Sequence, residues 1–345
     1  MKNVFVVYVD KSRVLRYTVI SGRFPDGGKN QAEQEAWGVK AKMEKANKKL
    51  GEKLFGGAFL APSLVGVFVF FIAPFGAVIY FALIDSPIGR NFVFLSNFQH
   101  VLGNFAFRTA SSNTIAFTAL AVPLAVILSL ALAILLEQKI PMKSQLRTFF
   151  LSPMMVPVVS IVLIWEVFFH QNGAVNNAVA NFGAATGWFV YEREGGGWID
   201  WFNSPWNQLP IVLLFLWRTL GYNMILFMAA LSNIPRELIE MAEIEGASSF
   251  YIFRTVKLRF LSPTILFVTI LSIINSFKVF REVFLLTGRH PYGALYMLQH
   301  YMNNMFENLD YQSLAAAAVI MTIVMIFIIG VLFAIESWYG KDVEG

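Results

Sequence analysis

Long apolar runs alternate with short polar connections from about residue 54 to the end of the chain. Six runs, near 55–84, 112–136, 148–169, 208–231, 260–286 and 313–336, are each long enough to cross a hydrocarbon core of ~30 Å as a helix. Pro62, Pro74, Pro123, Pro153, Pro157 and Pro263 fall in these runs or at their ends. Within a helix bundle they are tolerated as kinks, because neighbouring helices satisfy the carbonyls they free. The pattern divides the chain into an N-terminal extension (1–53), a six-helix membrane domain (54–340) and a short tail (341–345). The expected fold class is therefore an all-α polytopic membrane protein.

Two polar regions depart from this rhythm. In the extension, Val4–Val9 and Val14–Ile20 flank Asp10-Lys11-Ser12 and read as two short strands around a turn. A linker with Pro25, Gly27 and Gly28 follows, and then a charged helix from about Gln31 to Lys53. A lone hairpin is marginally stable, so the extension is expected to pack on a partner or on the connecting loops. The second polar region, 232–263, separates the fourth and fifth runs. Pro235 sits where a helix can start, with Ser232 or Asn233 available as its cap. Leu238, Ile239, Met241, Ala242 and Ile244 then follow helical spacing, and Glu237, Glu240, Glu243 and Glu245 fill much of the rest. Gly246 ends this helix, since glycine takes a left-handed cap conformation at little cost. Ser248 caps a second helix that carries Phe250, Phe253 and Val256 towards the fifth run. An amphipathic helix pair this short cannot bury its own apolar face, so it needs a partner.

Composition narrows the class. Hydrophobic residues make up 57% of the chain and charged residues 14%, and phenylalanine alone contributes 34. Both fractions lie outside the range of soluble domains. The net charge of +5 would suggest nucleic acid in a soluble protein; here it follows the positive-inside bias. With the N-terminus inside, the inner segments hold 20 Lys and Arg and the outer loops hold four (Arg90, Arg108, Arg193 and Arg289). Both termini and the 232–263 loop are therefore expected on the cytoplasmic side. No cleavable signal peptide is recognisable, so the first span is expected to start insertion. The absence of cysteine excludes disulfides, thiolate nucleophiles and cysteine zinc sites. No G-x-x-x-x-G-K-[ST], H-E-x-x-H or G-x-S-x-G motif occurs. The chain is not expected to be an enzyme.

The stretch Glu240-Met241-Ala242-x-x-Glu245-Gly246-Ala247, followed by Phe253 and Pro263, resembles the "EAA" loop of ABC-importer permeases. The lead-in Ile234-Pro235-Arg236-Glu237-Leu238-Ile239-Glu240 is similar to that of the sugar-importer branch. Three positions depart from the family pattern: Met241 in place of alanine, Glu245 in place of aspartate, and Arg259 where proline is usual. Further matching pieces keep the family's order. They are Leu60-Ala61-Pro62-Ser63, Phe94-Leu95-x-Asn97-Phe98, Asn113-Thr114, Arg147-Thr148-Phe149-Phe150-x-x-Pro153, Trp217-Arg218 with Gly221-Tyr222-Asn223-Met224, and Phe277-Lys278-x-Phe280 with Leu286-Thr287-Gly288.

The resemblance implies a permease subunit of an ATP-driven importer in a bacterial or archaeal inner membrane, carrying a sugar, oligosaccharide or polyol by alternating access. It implies a second permease (a different, related chain), two ATPase subunits that hold ATP and Mg, and an extracytoplasmic solute-binding protein. No cofactor or metal is expected in this chain. Glu240, Ala242, Glu245, Gly246, Ala247 and Phe253 are the implied ATPase-coupling residues.

Polar groups inside spans are costly in lipid and should face the bundle interior or a path. Glu166, Arg218, Asn223, Asn275, Ser276, Lys278, Arg281 and Glu282 are such groups. Lys278, Arg281 and Glu282 have the spacing of an ion pair within one helix, and helix–helix hydrogen bonds would account for several others. Trp217, Tyr222, Asn223, Asn275 and Ser276 suit a sugar, with aromatic faces for its ring and amides or hydroxyls for its hydroxyls. The tryptophans of 188–206 read either as interfacial anchors or as contacts for a docked binding protein. Two rival classes remain: a gradient-driven transporter or channel, and an intramembrane enzyme. The first leaves the glycine-cornered loop without a role, and the second lacks paired catalytic groups.

Overall fold

Apolar runs this long can exist in a bilayer only as structures that satisfy their own backbone, and helices do so within one segment. In a computed structural model of the chain, residues 5–9, 16–20, 60–138, 140–186 and 199–340 are described. The helices are α1 (Leu60–Ala82), α2 (Ser96–Gly103), α3 (Phe105–Glu137), α4 (Lys143–Met155), α5 (Val158–Phe169), α6 (Ala174–Thr186), α7 (Gln208–Ser232), α8 (Arg236–Ile244), α9 (Ser249–Ile252), α10 (Leu258–Lys278), α11 (Phe280–Thr287), α12 (Leu298–Glu307) and α13 (Tyr311–Gly340). The chain divides into two units, Met1–Gly76 and Ala77–Gly345. In the first, β1 (Phe5–Val9) pairs antiparallel with β2 (Arg16–Ile20), Phe5 opposite Ile20 and Val7 opposite Thr18. The charged helix expected over 31–53 lies outside the described residues.

Among the described residues, six helical stretches are long and apolar enough to span a membrane: Leu60–Ala82, Phe105–Glu137, Val158–Thr186, Gln208–Ser232, Ser249–Thr287 and Tyr311–Trp338. Several boundaries differ from the sequence reading, each for a local reason. The second stretch starts at Phe105 rather than near 112, because Asn104 caps it: Asn104 Oδ1 accepts from the Ala106 amide at 2.8 Å. The run read as one span over 148–169 is two helices. Pro157 disfavours helical backbone at the residue before it, and Val156 is extended (φ −81°, ψ 130°). The fifth stretch begins at Ser249, within the polar loop. A wide turn at Phe253–Lys257 passes α9 into α10 without a break, and Arg259, unlike the proline usual there, does not interrupt it.

The second unit is built around α3 and α7, which pack against each other, with α10 against both. Phe117, Ala121, Ala125, Ser129 and Ala133 recur every fourth residue of α3 and are all fully buried. A column of small residues lets helices approach closely where lipid offers no hydrophobic drive for association. Gly221 extends the same logic on α7, since a Cβ there would collide with the Phe150 carbonyl of α4. At the end of the bundle where α7 begins, Val101, Phe107, Leu298, Tyr301 and Ala315–Ala317 form one core cluster. At the opposite end, Leu136, Met224, Phe227, Leu231, Ile234 and Leu261 form another. The second cluster seats the polar loop.

Candidate coupling loop and translocation path

The loop is shaped by its punctuation residues. Asn233 closes α7 as its C-cap, its amide donating to the Ala230 and Leu231 carbonyls. The expected side-chain cap from Ser232 or Asn233 to α8 does not form. Pro235 itself occupies the cap position, its fixed φ (−59°) setting the direction of the next helix. At the other end of α8, Gly246 adopts φ +80°. Its amide donates to the Glu243 carbonyl at 3.0 Å, and the Ala247 amide donates to the Ala242 carbonyl at 2.9 Å. This is the paired Schellman arrangement, which needs the left-handed residue that glycine supplies most cheaply. Ser248 Oγ then accepts from the Tyr251 amide at 3.3 Å and starts α9.

Burial separates an anchored side of the loop from an exposed one. Ile234 and Ile252 are buried, and Ile239, Ala242, Ala247 and Phe253 are half-buried, so the loop is fastened to the bundle. Lys257 adds an ion pair to Glu137 at 3.0 Å, tying the turn after α9 to the end of α3. In contrast, Leu238, Met241 and Ile244 form an i, i+3, i+6 stripe that faces outward, with Ile244 86% exposed and Phe250 72% exposed. Glu237, Glu240, Glu243 and Glu245 surround it and are also exposed. The result is an apolar ridge with an acidic border, held on a rigid corner.

In the bundle interior, Asn223 on α7 is fully buried, and its side-chain amide donates to Ser272 Oγ on α10 at 2.9 Å. Among the described residues its Oδ1 has no partner. One turn further along α10, Ser276 Oγ meets Thr118 Oγ1 of α3 at 3.0 Å. The ring of Trp217 lies against Trp165, with centroids 5.3 Å apart. Asn275 is half-buried, and Tyr222 lies on the exposed side of α7. Of the five sequence candidates, Asn223 and Ser276 therefore share the α3–α7–α10 interior, while Tyr222 faces away from it. Thr118, Ser272 and Trp165 were missed. Ser272 stands four residues before Ser276, and that spacing was the available signal.

The ion pair expected within Lys278–Glu282 does not form. Glu282 pairs instead with Arg218 on α7, leaving Lys278 and Arg281 exposed. A buried carboxylate requires a cation facing it (the Glu282 side chain is 2% exposed), and Arg218 supplies one across the helix interface.

Several residues of the matching motifs have plain structural duties near the start of α7. Asn97 donates to the Ala82 and Ile84 carbonyls at 3.0 and 2.8 Å. Asn113 donates to the Gly293 and Tyr296 carbonyls at 3.0 and 2.9 Å, and Thr114 Oγ1 accepts from the Leu298 amide at 2.8 Å. His300 is buried among Phe280, Phe284 and Tyr296, and burial pushes its imidazole down to about 4. Burial likewise pushes Tyr301 up to about 12. Trp201 is buried and donates to Asn176 Oδ1 at 3.0 Å, so it is a core residue rather than an interfacial anchor or docking contact. Trp206 is exposed, whereas Trp188 and Trp198 lie outside the described residues.

Comparison with known proteins bears on this arrangement. Residues 125–338 match the family of binding-protein-dependent transport system inner membrane components. The trehalose/maltose transport system permease protein MalF of Thermococcus litoralis is 27% identical over 298 residues, covering 85% of this chain and 97% of that protein. The arabinooligosaccharides transport system permease protein AraP of Bacillus subtilis is 30% identical over 240 residues, 69% of this chain and 73% of that one. The lactose transport system permease protein LacF of Rhizobium radiobacter is 28% identical over 286 residues, 80% and 92% of the two chains. Among solved structures, a bacterial ABC transporter involved in the import of the acidic polysaccharide alginate superposes with a TM-score of 0.70 at 18% identity. It covers 86% of this chain and 100% of that one. At that identity the match speaks for the fold.

Proposed function

This chain belongs to the family of binding-protein-dependent transport system inner membrane components, and on that premise we propose that it forms half of the membrane path for a sugar, oligosaccharide or polyol. Its relatives are named for trehalose/maltose, arabinooligosaccharide and lactose transport, which supports a carbohydrate as cargo. Membership favours an ATP-driven importer over a gradient-driven transporter. The observation that carries the coupling step is the exposed ridge of Leu238, Met241, Ile244 and Phe250 on a glycine corner anchored to the bundle.

An ATPase subunit covers that ridge on the cytoplasmic side. Each such side chain taken out of water contributes ~1.5–3 kcal/mol, and the border of Glu240 and Glu245 meets basic groups on the partner. Two ATPases hold the ATP and Mg, a related second permease completes the path, and a solute-binding protein delivers cargo from outside. Closure of the ATPases moves the loop as a rigid body, and the Lys257–Glu137 pair and the α9–α10 continuity pass that motion into α3 and α10. In the interior, Asn223 and Ser276 offer a sugar an amide and a hydroxyl, and the half-buried Asn275 and Trp217 add a second amide and an aromatic face.

The test is co-purification of the ATPase with wild type and Gly246→Pro. Proline cannot adopt φ +80°, so the variant should insert normally and lose the ATPase. If wild type also retains no ATPase, the importer assignment of the loop fails.

A further inference from the structure

We propose that the end of the bundle bearing the coupling loop holds a binding site for an anionic phospholipid, in a cavity between α4 and α7. The cavity has a volume of about 360 Å³. Its apolar wall is one stripe of α7, where Ile225, Met228, Ala229 and Ser232 stand at i, i+3, i+4 and i+7. Its basic wall is the first two turns of α4, where Lys143 and Arg147 are four residues apart and share a face.

Charge accounting makes this wall cationic. Glu137 also borders the cavity, but its carboxylate is engaged by Lys257 at 3.0 Å. Among the described residues, Lys143 donates only to the Glu137 backbone carbonyl, at 3.3 Å. Among the described residues neither Lys143 nor Arg147 has a carboxylate within ion-pair reach.

Position supplies the remaining constraint. Glu137 and Ser232 are the last residues of α3 and α7, and Lys143 is the first of α4. The cavity therefore opens at the level where spans leave the hydrocarbon core. An occupant at that depth must offer a negative group to Lys143 and Arg147 and an apolar body to Ile225 and Met228. A phospholipid with an anionic head meets both requirements, and basic pockets between spans hold such heads. Inorganic phosphate meets only the first.

The test is native mass spectrometry of the intact transporter titrated with phosphatidylglycerol and, separately, phosphatidylcholine. Wild type should hold phosphatidylglycerol on the order of tenfold more tightly than phosphatidylcholine. The K143Q/R147Q variant should bind the two lipids equally, and K143R/R147K should restore the preference. Ala229→Trp, which fills the cavity from the apolar wall and leaves the charges in place, should also abolish it. Three results would overturn the proposal. One is equal affinity for the two lipids in wild type. The second is complete displacement by excess inorganic phosphate, which would make the site a phosphate site. The third is an unchanged lipid preference in K143Q/R147Q with loss of the ATPase, which would assign the cavity to the protein partner.

Discussion

The two ends of the bundle are built to opposite rules. Where α7 begins, the connections are tied to one another, although Ile88, Phe94, Phe105 and Trp206 stay exposed. Asn97, Asn113 and Thr114 satisfy backbone groups of neighbouring segments, Tyr301 and His300 are fully buried, and Arg289 pairs with Glu307 across the turn. Where α7 ends, the connection is fastened along one side only and presents Met241, Ile244 and Phe250 outward. An exposed apolar ridge costs solubility and is kept only where something covers it. The contrast is between connections tied to one another by hydrogen bonds and a single amphipathic corner set on a glycine turn.

Mutations should separate these ends by readout. The largest effect expected is from Gly246→Pro, which should abolish cargo-dependent ATP hydrolysis in the reconstituted transporter while leaving thermal unfolding of the membrane domain unchanged. Tyr301→Ala should do the reverse. Removing a fully buried aromatic ring costs ~3–5 kcal/mol, so the unfolding temperature should fall while the permease still captures the ATPase. If Tyr301→Ala instead released the ATPase, the two ends would not be independent.

A comparable loss is expected from Arg218→Ala, which leaves the Glu282 carboxylate buried without its cation, at ~3–5 kcal/mol; Arg218→Ala with Glu282→Leu should recover most of it in the same denaturation assay. A smaller, pH-dependent effect comes from His300. Its folded value of about 4 lies below the ordinary 6.5, so between those values the unfolded chain binds more protons than the folded one. Stability is therefore full above pH 6.5 and falls as the pH drops towards 4. His300→Phe should flatten that decline in unfolding measured across pH. Smallest of all is Glu137→Gln, which removes a partly exposed ion pair with Lys257 and should cost at most ~1 kcal/mol.

The contrast was only partly legible in the sequence. Apolar length locates the spans except the third, read over 148–169 and found over Val158–Thr186, and the Gly246 corner could be read because few residues other than glycine tolerate φ +80°. Local pattern failed where the deciding partner lies far along the chain. Helical spacing directed Glu282 towards Lys278 and Arg281, yet its cation is Arg218, 64 residues earlier and on another helix. Asn97 and Asn113 were read as family markers, and their duties to backbone carbonyls emerge only once the helices are placed. The break at Val156 was hidden by a sound general rule, since prolines in membrane helices usually kink rather than divide them. Trp201 misled in the same way: a tryptophan near a span end suggests the interface, and burial with a hydrogen bond to Asn176 is invisible to composition.

The chain has no cysteine, which makes the decisive measurement direct. A single cysteine at Ile244, on the ridge, is compared with one at Ile88, an exposed position between α1 and α2. Labelling by a membrane-impermeant thiol reagent is followed with and without the ATPase subunits. The account predicts that Ile244→Cys is reached only from the cytoplasmic face and is protected when the ATPase is present, while Ile88→Cys is reached from the opposite face and is indifferent to it. Equal labelling of Ile244→Cys in both preparations would contradict the claim that this ridge is where the motor docks.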